Sequence, residues 1–349
     1  MNQINITSSK LKTSLSSDSF KPSFGLRNAH SQTILSSVGV RKSIIARRFL
    51  PYSTSSKQML LSGGEGIRLA GYLNRASTKR SSSLAILIHG WEGSHDSTYI
   101  QSMALELLNQ GIDVFRLNLR DHGDTHHLNE EIFNSTLIEE VMYAIEDLQS
   151  RESYADYHLV GFSLGGNFSL RVAALAQERE ITLESVIAFC PVIHASQSNI
   201  VLNQLSNIVY GKYFVRKWKR SLRKKLQHWP HYDYASRLDS MKTLEEMNQQ
   251  LIPEYTSYTD LEAYFDAYAI SGDRLADTIA PCYLFFAKDD MIIPVEGIKQ
   301  LSDSPNLTVV VTDRGGHCGY IKNWKWECWQ DDQALAIIQQ HRNSKADIA

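Results

Sequence analysis

No apolar run in this sequence approaches the roughly 20 residues that a transmembrane helix requires, which leaves only peripheral contact with a membrane. Residues 1–20 lack the apolar run of a signal peptide; rich in Ser, Thr, Asn and Lys, they read as a flexible tail. Cysteine is scarce, and the four present, Cys190, Cys282, Cys318 and Cys328, show no C-x-x-C spacing. They fit reduced, mostly buried thiols of a cytoplasmic protein. A charge bias is missing too: the formal net charge is -2, which argues against a dedicated nucleic-acid binder, normally basic over a whole domain.

What is present is enough apolar material, 43% of 349 residues, to bury a large core. From Ser43 the pattern reads as an antiparallel lead-in, with strands expected at residues 44–50, 58–61 and 67–73 and a turn at Gly63-Gly64-Glu65-Gly66. Beyond it, continuous apolar runs at 84–88, 114–119, 157–160 and 186–190 alternate with helical periodicity at 97–109, 136–148 and 167–180. That alternation is the signature of βαβ units in a doubly wound, mostly parallel sheet. It breaks after Pro191 and resumes with runs at 283–287 and 307–311 and a last helix over 326–340. The expected organisation is an α/β core over residues 21–195 and 280–349, interrupted by a helical cap over 196–279.

Functional groups of such sheets collect where strands end. His89-Gly90-Trp91-Glu92-Gly93, Asp121 and Gly161-Phe162-Ser163-Leu164-Gly165 all fall at such ends. In a G-x-S-x-G turn between strand and helix, the glycines remove Cβ atoms that would clash, so the serine takes a strained turn with Oγ exposed. The helix that follows aims its first N–H groups and positive dipole end at an oxyanion formed there, with the N–H of Leu164 as one donor. A nucleophilic serine needs a base, and the base an orienting acid. Later strand ends supply both: Asp289-Asp290 after one, and His317 in the Gly315-Gly316-His317 loop after the next. The order serine, acid, histidine is that of α/β-hydrolases.

These four loops resemble the α/β-hydrolase superfamily. Asn28-Ala29-His30-Ser31-Gln32-Thr33-Ile34, His89-Gly90-Trp91-Glu92-Gly93-Ser94 followed by Tyr99, Lys288-Asp289-Asp290 and Gly315-Gly316-His317-Cys318-Gly319-Tyr320 are similar to the AB hydrolase 4 family of YheT-like hydrolases, over about residues 21–342. The resemblance implies an α/β-hydrolase fold and a Ser163, Asp290, His317 triad. Asp290 is preferred because its spacing to Pro294 matches the D-x-x-x-P acid loop, which makes Asp289 a loop-capping group. The residue after His-Gly, Trp91, becomes the second oxyanion donor, and His89 a brace for that loop. The implied activity is hydrolysis of carboxylic esters, of esterase or acylglycerol lipase type, on a small-molecule ester or lipid substrate, with no metal or organic cofactor. Acyl transfer, thioesterase or peptidase action on the same triad, and a binding module without turnover, are the alternatives.

Two stretches stand outside that scheme. Asp121, His122, Asp124, His126 and His127 crowd oxygen and imidazole ligands into one loop, but the same loop reads as the ordinary polar turn of metal-free hydrolases. Over 212–229, Val215, Trp218, Leu222, Leu226 and Trp229 recur at three- and four-residue spacing while Lys and Arg fill the remainder, a basic amphipathic helix. Its first reading is a cap helix with a solvated basic face, and its second is peripheral contact with an anionic membrane. The segment at Arg27–Ile34 reads as too polar for a core element.

Overall fold

The computed structural model describes residues 20–77 and 81–346; the tail expected over 1–20 otherwise lies outside the described residues. In chain order the elements are α1 (Ala29–Leu35), α2 (Val40–Thr54), β1 (Lys57–Ser62), β2 (Arg68–Asn74), β3 (Ser83–Ile88), α3 (Thr98–Asn109), β4 (Asp113–Leu117), α4 (Ile138–Arg151), β5 (Asp156–Phe162), α5 (Leu164–Leu175) and β6 (Ser185–Phe189). Four helices follow, α6 (Ala195–Leu202), α7 (Ile208–His228), α8 (Leu244–Tyr255) and α9 (Leu261–Ala267), before β7 (Cys282–Ala287), β8 (Leu307–Thr312) and α10 (Trp329–Ala346).

Among the described residues the sheet has eight strands in the order β1-β2-β4-β3-β5-β6-β7-β8. The β1–β2 and β2–β4 pairs are antiparallel, and the rest are parallel. Every residue of β3 and β5 is buried, because helices cover both faces. Alternation along one strand feeds two cores: Leu84, Ile86 and Ile88 pack with the α4 and α5 side, Ala85 and Leu87 with the α3 and α10 side. Each of the leucines and isoleucines contributes about 1.5–3 kcal/mol on burial. The chain leaves β3 for β4 on one flank and returns to β5 on the other, so the strand order reverses between β3 and β5. A crevice opens at their carboxyl ends, where ligands bind in open α/β sheets.

Three expectations need correction. Residues 44–50 are not a strand but part of α2. Arg41, Ile45 and Phe49 are the residues it buries, one every four positions. The apolar stripe is completed by an arginine, which a reading of hydrophobic residues alone misses. Arg41 is fully buried because its guanidinium donates to Ser36 O at 2.6 Å, Ser102 Oγ at 2.7 Å and Trp326 O at 3.2 Å. The polar segment at Arg27–Ile34 holds α1, capped by Asn28, and its Gln32 is fully buried. Gln32 donates to Leu26 O and Ile321 O and accepts from Ile321 N at 2.7 Å, so its polarity satisfies backbone groups of two loops. Phe20, read as the end of the tail, packs against Tyr320 and Trp329. Among the described residues no helix is long and apolar enough to cross a membrane.

Candidate active site

Ser163 sits between the end of β5 and the start of α5 with φ 54° and ψ -118°. A non-glycine residue there is strained, and the neighbouring glycines show what enforces the turn. A Cβ on Gly161 would lie 2.3 Å from Gly165 O, and one on Gly165 would lie 2.3 Å from Ile88 O. The helix can therefore start hard against the ends of β3 and β5 only with glycine at both places. Leu164 is the first residue of α5, so no carbonyl one turn back within the helix accepts its N–H.

Ser163 Oγ lies 2.9 Å from His317 Nε2, and His317 Nδ1 lies 2.9 Å from Asp290 Oδ2. With Nδ1 donating to the carboxylate, Nε2 is left to accept from the serine hydroxyl. Asp290 Oδ1 accepts from Ile292 N at 2.8 Å and Ile293 N at 3.0 Å, which fixes the carboxylate plane. Asp289 instead accepts from Gly316 N at 2.9 Å and holds the histidine loop. Burial raises the Asp289 carboxyl above its ordinary value, with the Gly316 N–H opposing. Burial disfavours the His317 imidazolium, but the charge and hydrogen bond of Asp290 outweigh it and hold the group above the ordinary 6.5. His317 N donates to Thr33 Oγ1 at 2.9 Å, so α1 braces the same loop from below. Thr33 lies within the segment the sequence singled out at Arg27–Ile34, but nothing in its spacing pointed to a bond across 284 residues.

The loop after β3 passes directly over the elbow: a Cβ on Gly90 would lie 3.2 Å from Ser163 Cβ and from Phe162 O. Trp91 follows at that point. His89 is fully buried, donates from Nδ1 to Gly90 O at 2.8 Å and accepts at Nε2 from Leu119 N at 3.2 Å. Burial, with His122 adding to it, holds its pKa well below 6.5, so the ring is a neutral brace with both nitrogens spent.

The polar loop after β4 is occupied by protein partners. Asp121 pairs with Lys225 Nζ at 2.8 Å, Asp124 with Lys224 Nζ at 2.8 Å, and His126 Nε2 meets Ser221 Oγ at 2.8 Å. His122 donates to Arg120 O and accepts from Glu92 N, and burial lowers it to about 4. The His127 ring instead lies 5.6 Å from that of His228. Among the described residues the side chains that converge with metal-like spacing are Cys190, His317 and Cys318, whose ligand atoms lie within 4.8 Å of one another. Burial pushes the Cys190 thiol well above 9, the opposite of what a thiolate ligand needs, and Cys318 Sγ donates to Phe189 O.

Helix α7 keeps the solvated basic face at Lys212, Arg216, Arg220 and Arg223, which are exposed, and departs from it at other lysines. Its apolar stripe packs inward as expected, with Val215, Trp218 and Leu222 buried. Lys219 and Lys225 are buried too, and Lys217 is half-buried. Phe214 stacks on Trp91 at 5.3 Å, and Trp218 meets the same indole edge-on at 5.4 Å. Together with the strand-end loops, α7 encloses a cavity of about 860 Å³ that reaches Ser163 and His317 and is lined largely by apolar and aromatic side chains.

The alpha/beta hydrolase family model matches residues 85–325. YheT of Escherichia coli, provisionally named an esterase, is 25% identical over 321 residues, covering 90% of this chain and 91% of its own. A monoacylglycerol lipase of Saccharomyces cerevisiae is 22% identical over 266 residues, 73% of this chain and 59% of the lipase. Among solved structures, an esterase of Pyrococcus furiosus superposes with a TM-score of 0.55 at 16% identity, over 84% of this chain and 93% of that one, a likeness of fold.

Proposed function

The chain belongs to the alpha/beta hydrolase family, and from that premise we propose that it hydrolyses carboxylic esters through an acyl-enzyme on Ser163. The supporting observation is the unbroken hydrogen-bonded run from Ser163 Oγ through His317 to Asp290 Oδ2 at the floor of an apolar cavity. His317 Nε2 takes the hydroxyl proton as Oγ attacks the ester carbonyl, and Asp290 stabilises the imidazolium. The oxyanion accepts from the N–H of Leu164 and the N–H of Trp91, each donor worth about 3 kcal/mol of transition-state stabilisation. The imidazolium returns the proton to the leaving alcohol. Water, deprotonated by the same imidazole, then releases the carboxylic acid and restores Ser163.

Residues 196–279 act in this scheme as a cap, with Phe214 and Trp218 of α7 packing on Trp91 to shape the entrance. Relatives named as esterases and as a monoacylglycerol lipase support an ester substrate with an apolar acyl chain. Turnover of a 4-nitrophenyl ester chain-length series tests this. The expected result is nitrophenolate release that peaks at one chain length and vanishes in Ser163→Ala; equal release by the variant refutes the reading.

A further inference from the structure

The cavity face of α7 changes character along its length. Val209, Tyr210, Tyr213 and Phe214 come first, then Lys217, Arg220 and Lys224, with Trp218 and Ser221 among them. At 1.5 Å per residue, Lys217 lies about 4.5 Å and Arg220 about 9 Å along the axis beyond Phe214, which packs over the oxyanion loop. Lys42 of α2 also lines the cavity, exposed, on the side of Tyr213.

The carboxylates nearby do not balance these cations. Asp121 is committed to the buried Lys225, Asp124 to Lys224, and Asp96 to Arg116 at 3.3 Å. Glu92 alone remains in the wall; burial raises it to about 7, against the pull of Lys217 and Lys224. Lys217 Nζ reaches the Glu92 carbonyl oxygen at 3.4 Å and lies 5.7 Å from the centre of the Tyr213 ring. Among the described residues, no carboxylate lies within 4.0 Å of the charged groups of Lys42, Lys217 or Arg220. Burial, and then Arg220, Arg216 and Lys224, disfavour the Lys217 cation, with Glu92 opposing. Lys217 is half-buried while Arg220 and Lys42 are exposed, so the cavity lining carries like charges that have no carboxylate partner and can meet an incoming anion.

We infer that the cavity takes an anionic ester, whose carboxylate or phosphate is held by Lys217 and Arg220 while its apolar chain lies along Phe214 and Trp91. This deepens the esterase reading by naming a substrate class. Its test reads binding rather than turnover, so the two fail separately. Octyl phosphate below its micellar concentration and 1-octanol are titrated calorimetrically into the full-length protein. The expected result is octyl phosphate binding at least about ten-fold tighter than octanol, with that preference lost in Lys217→Met/Arg220→Gln and kept in Lys217→Arg. Arg216→Gln, which removes a charge from α7 outside the cavity wall, should keep it. No preference for the phosphate in wild type overturns the inference, as does an equal loss in Arg216→Gln, which would reduce it to the general field of the helix. Phosphatidylglycerol vesicles separate the sources. If they displace bound octyl phosphate and phosphatidylcholine vesicles do not, the anion comes from a lipid headgroup; without displacement it belongs to a soluble ester. Both results keep the site.

Discussion

Asp289 and Asp290 are adjacent carboxylates in one loop, yet they have different partners. Asp290 orients the imidazole from its Oδ2, while Asp289 holds the backbone of the histidine loop. Asp290→Asn should lower kcat about 10⁴-fold, because the amide leaves His317 in the wrong tautomer. Asp289→Asn keeps an oxygen for Gly316 N and should stay within about ten-fold of wild type by the same steady-state assay. The pair also governs pH dependence. Only neutral imidazole can take the serine proton, so kcat/KM rises with pH through the His317 pKa of the free enzyme. Asp290 holds that pKa above 6.5, which puts the rising limb above 6.5, and Asp290→Asn should move it downward in a pH profile. Ser163, His317 and their acid were legible as candidates because each sits in a short local motif where an apolar run ends, although the bond between Ser163 and His317 spans 154 residues. The Thr33 brace was not, since its bond to His317 N joins opposite ends of the chain.

Helix α7 shows how far an amphipathic pattern can be read. The stripe of Val215, Trp218 and Leu222 gave its inward face, but the pattern assigns every lysine to solvent. Lys225 is buried because Asp121, 104 residues away, meets it at 2.8 Å while the carbonyls of Asn129 and Glu131 accept its remaining protons. Lys225→Met should cost about 3–5 kcal/mol in urea denaturation, since Asp121 is left buried and uncompensated. The Asp121→Asn/Lys225→Met double variant should cost less than the sum of the two single changes, and a double-mutant cycle measures that coupling. The strand expected over 44–50 fails for the same reason: Arg41 of α2 is buried partly by hydrogen bonds to Ser102 and Trp326, far along the chain, and no local pattern announces those.

For the molecule as a whole, the sequence carried the alternation of strands and helices but not the strand order. The reversal between β3 and β5 arises from non-local pairing, and it is what brings the Gly90 loop over the elbow and opens the cavity there. Helices α6 to α9, inserted between β6 and β7, then decide through α7 which surfaces that cavity presents. Every part of the proposed reaction depends on one covalent bond at the bottom of it. Intact-mass spectrometry after treatment with an alkyl fluorophosphonate tests that bond most directly. A single adduct on wild type that maps to the peptide containing Ser163 and is absent from Ser163→Ala is the predicted result. An unlabelled wild type, or equal labelling of the variant, would contradict the account.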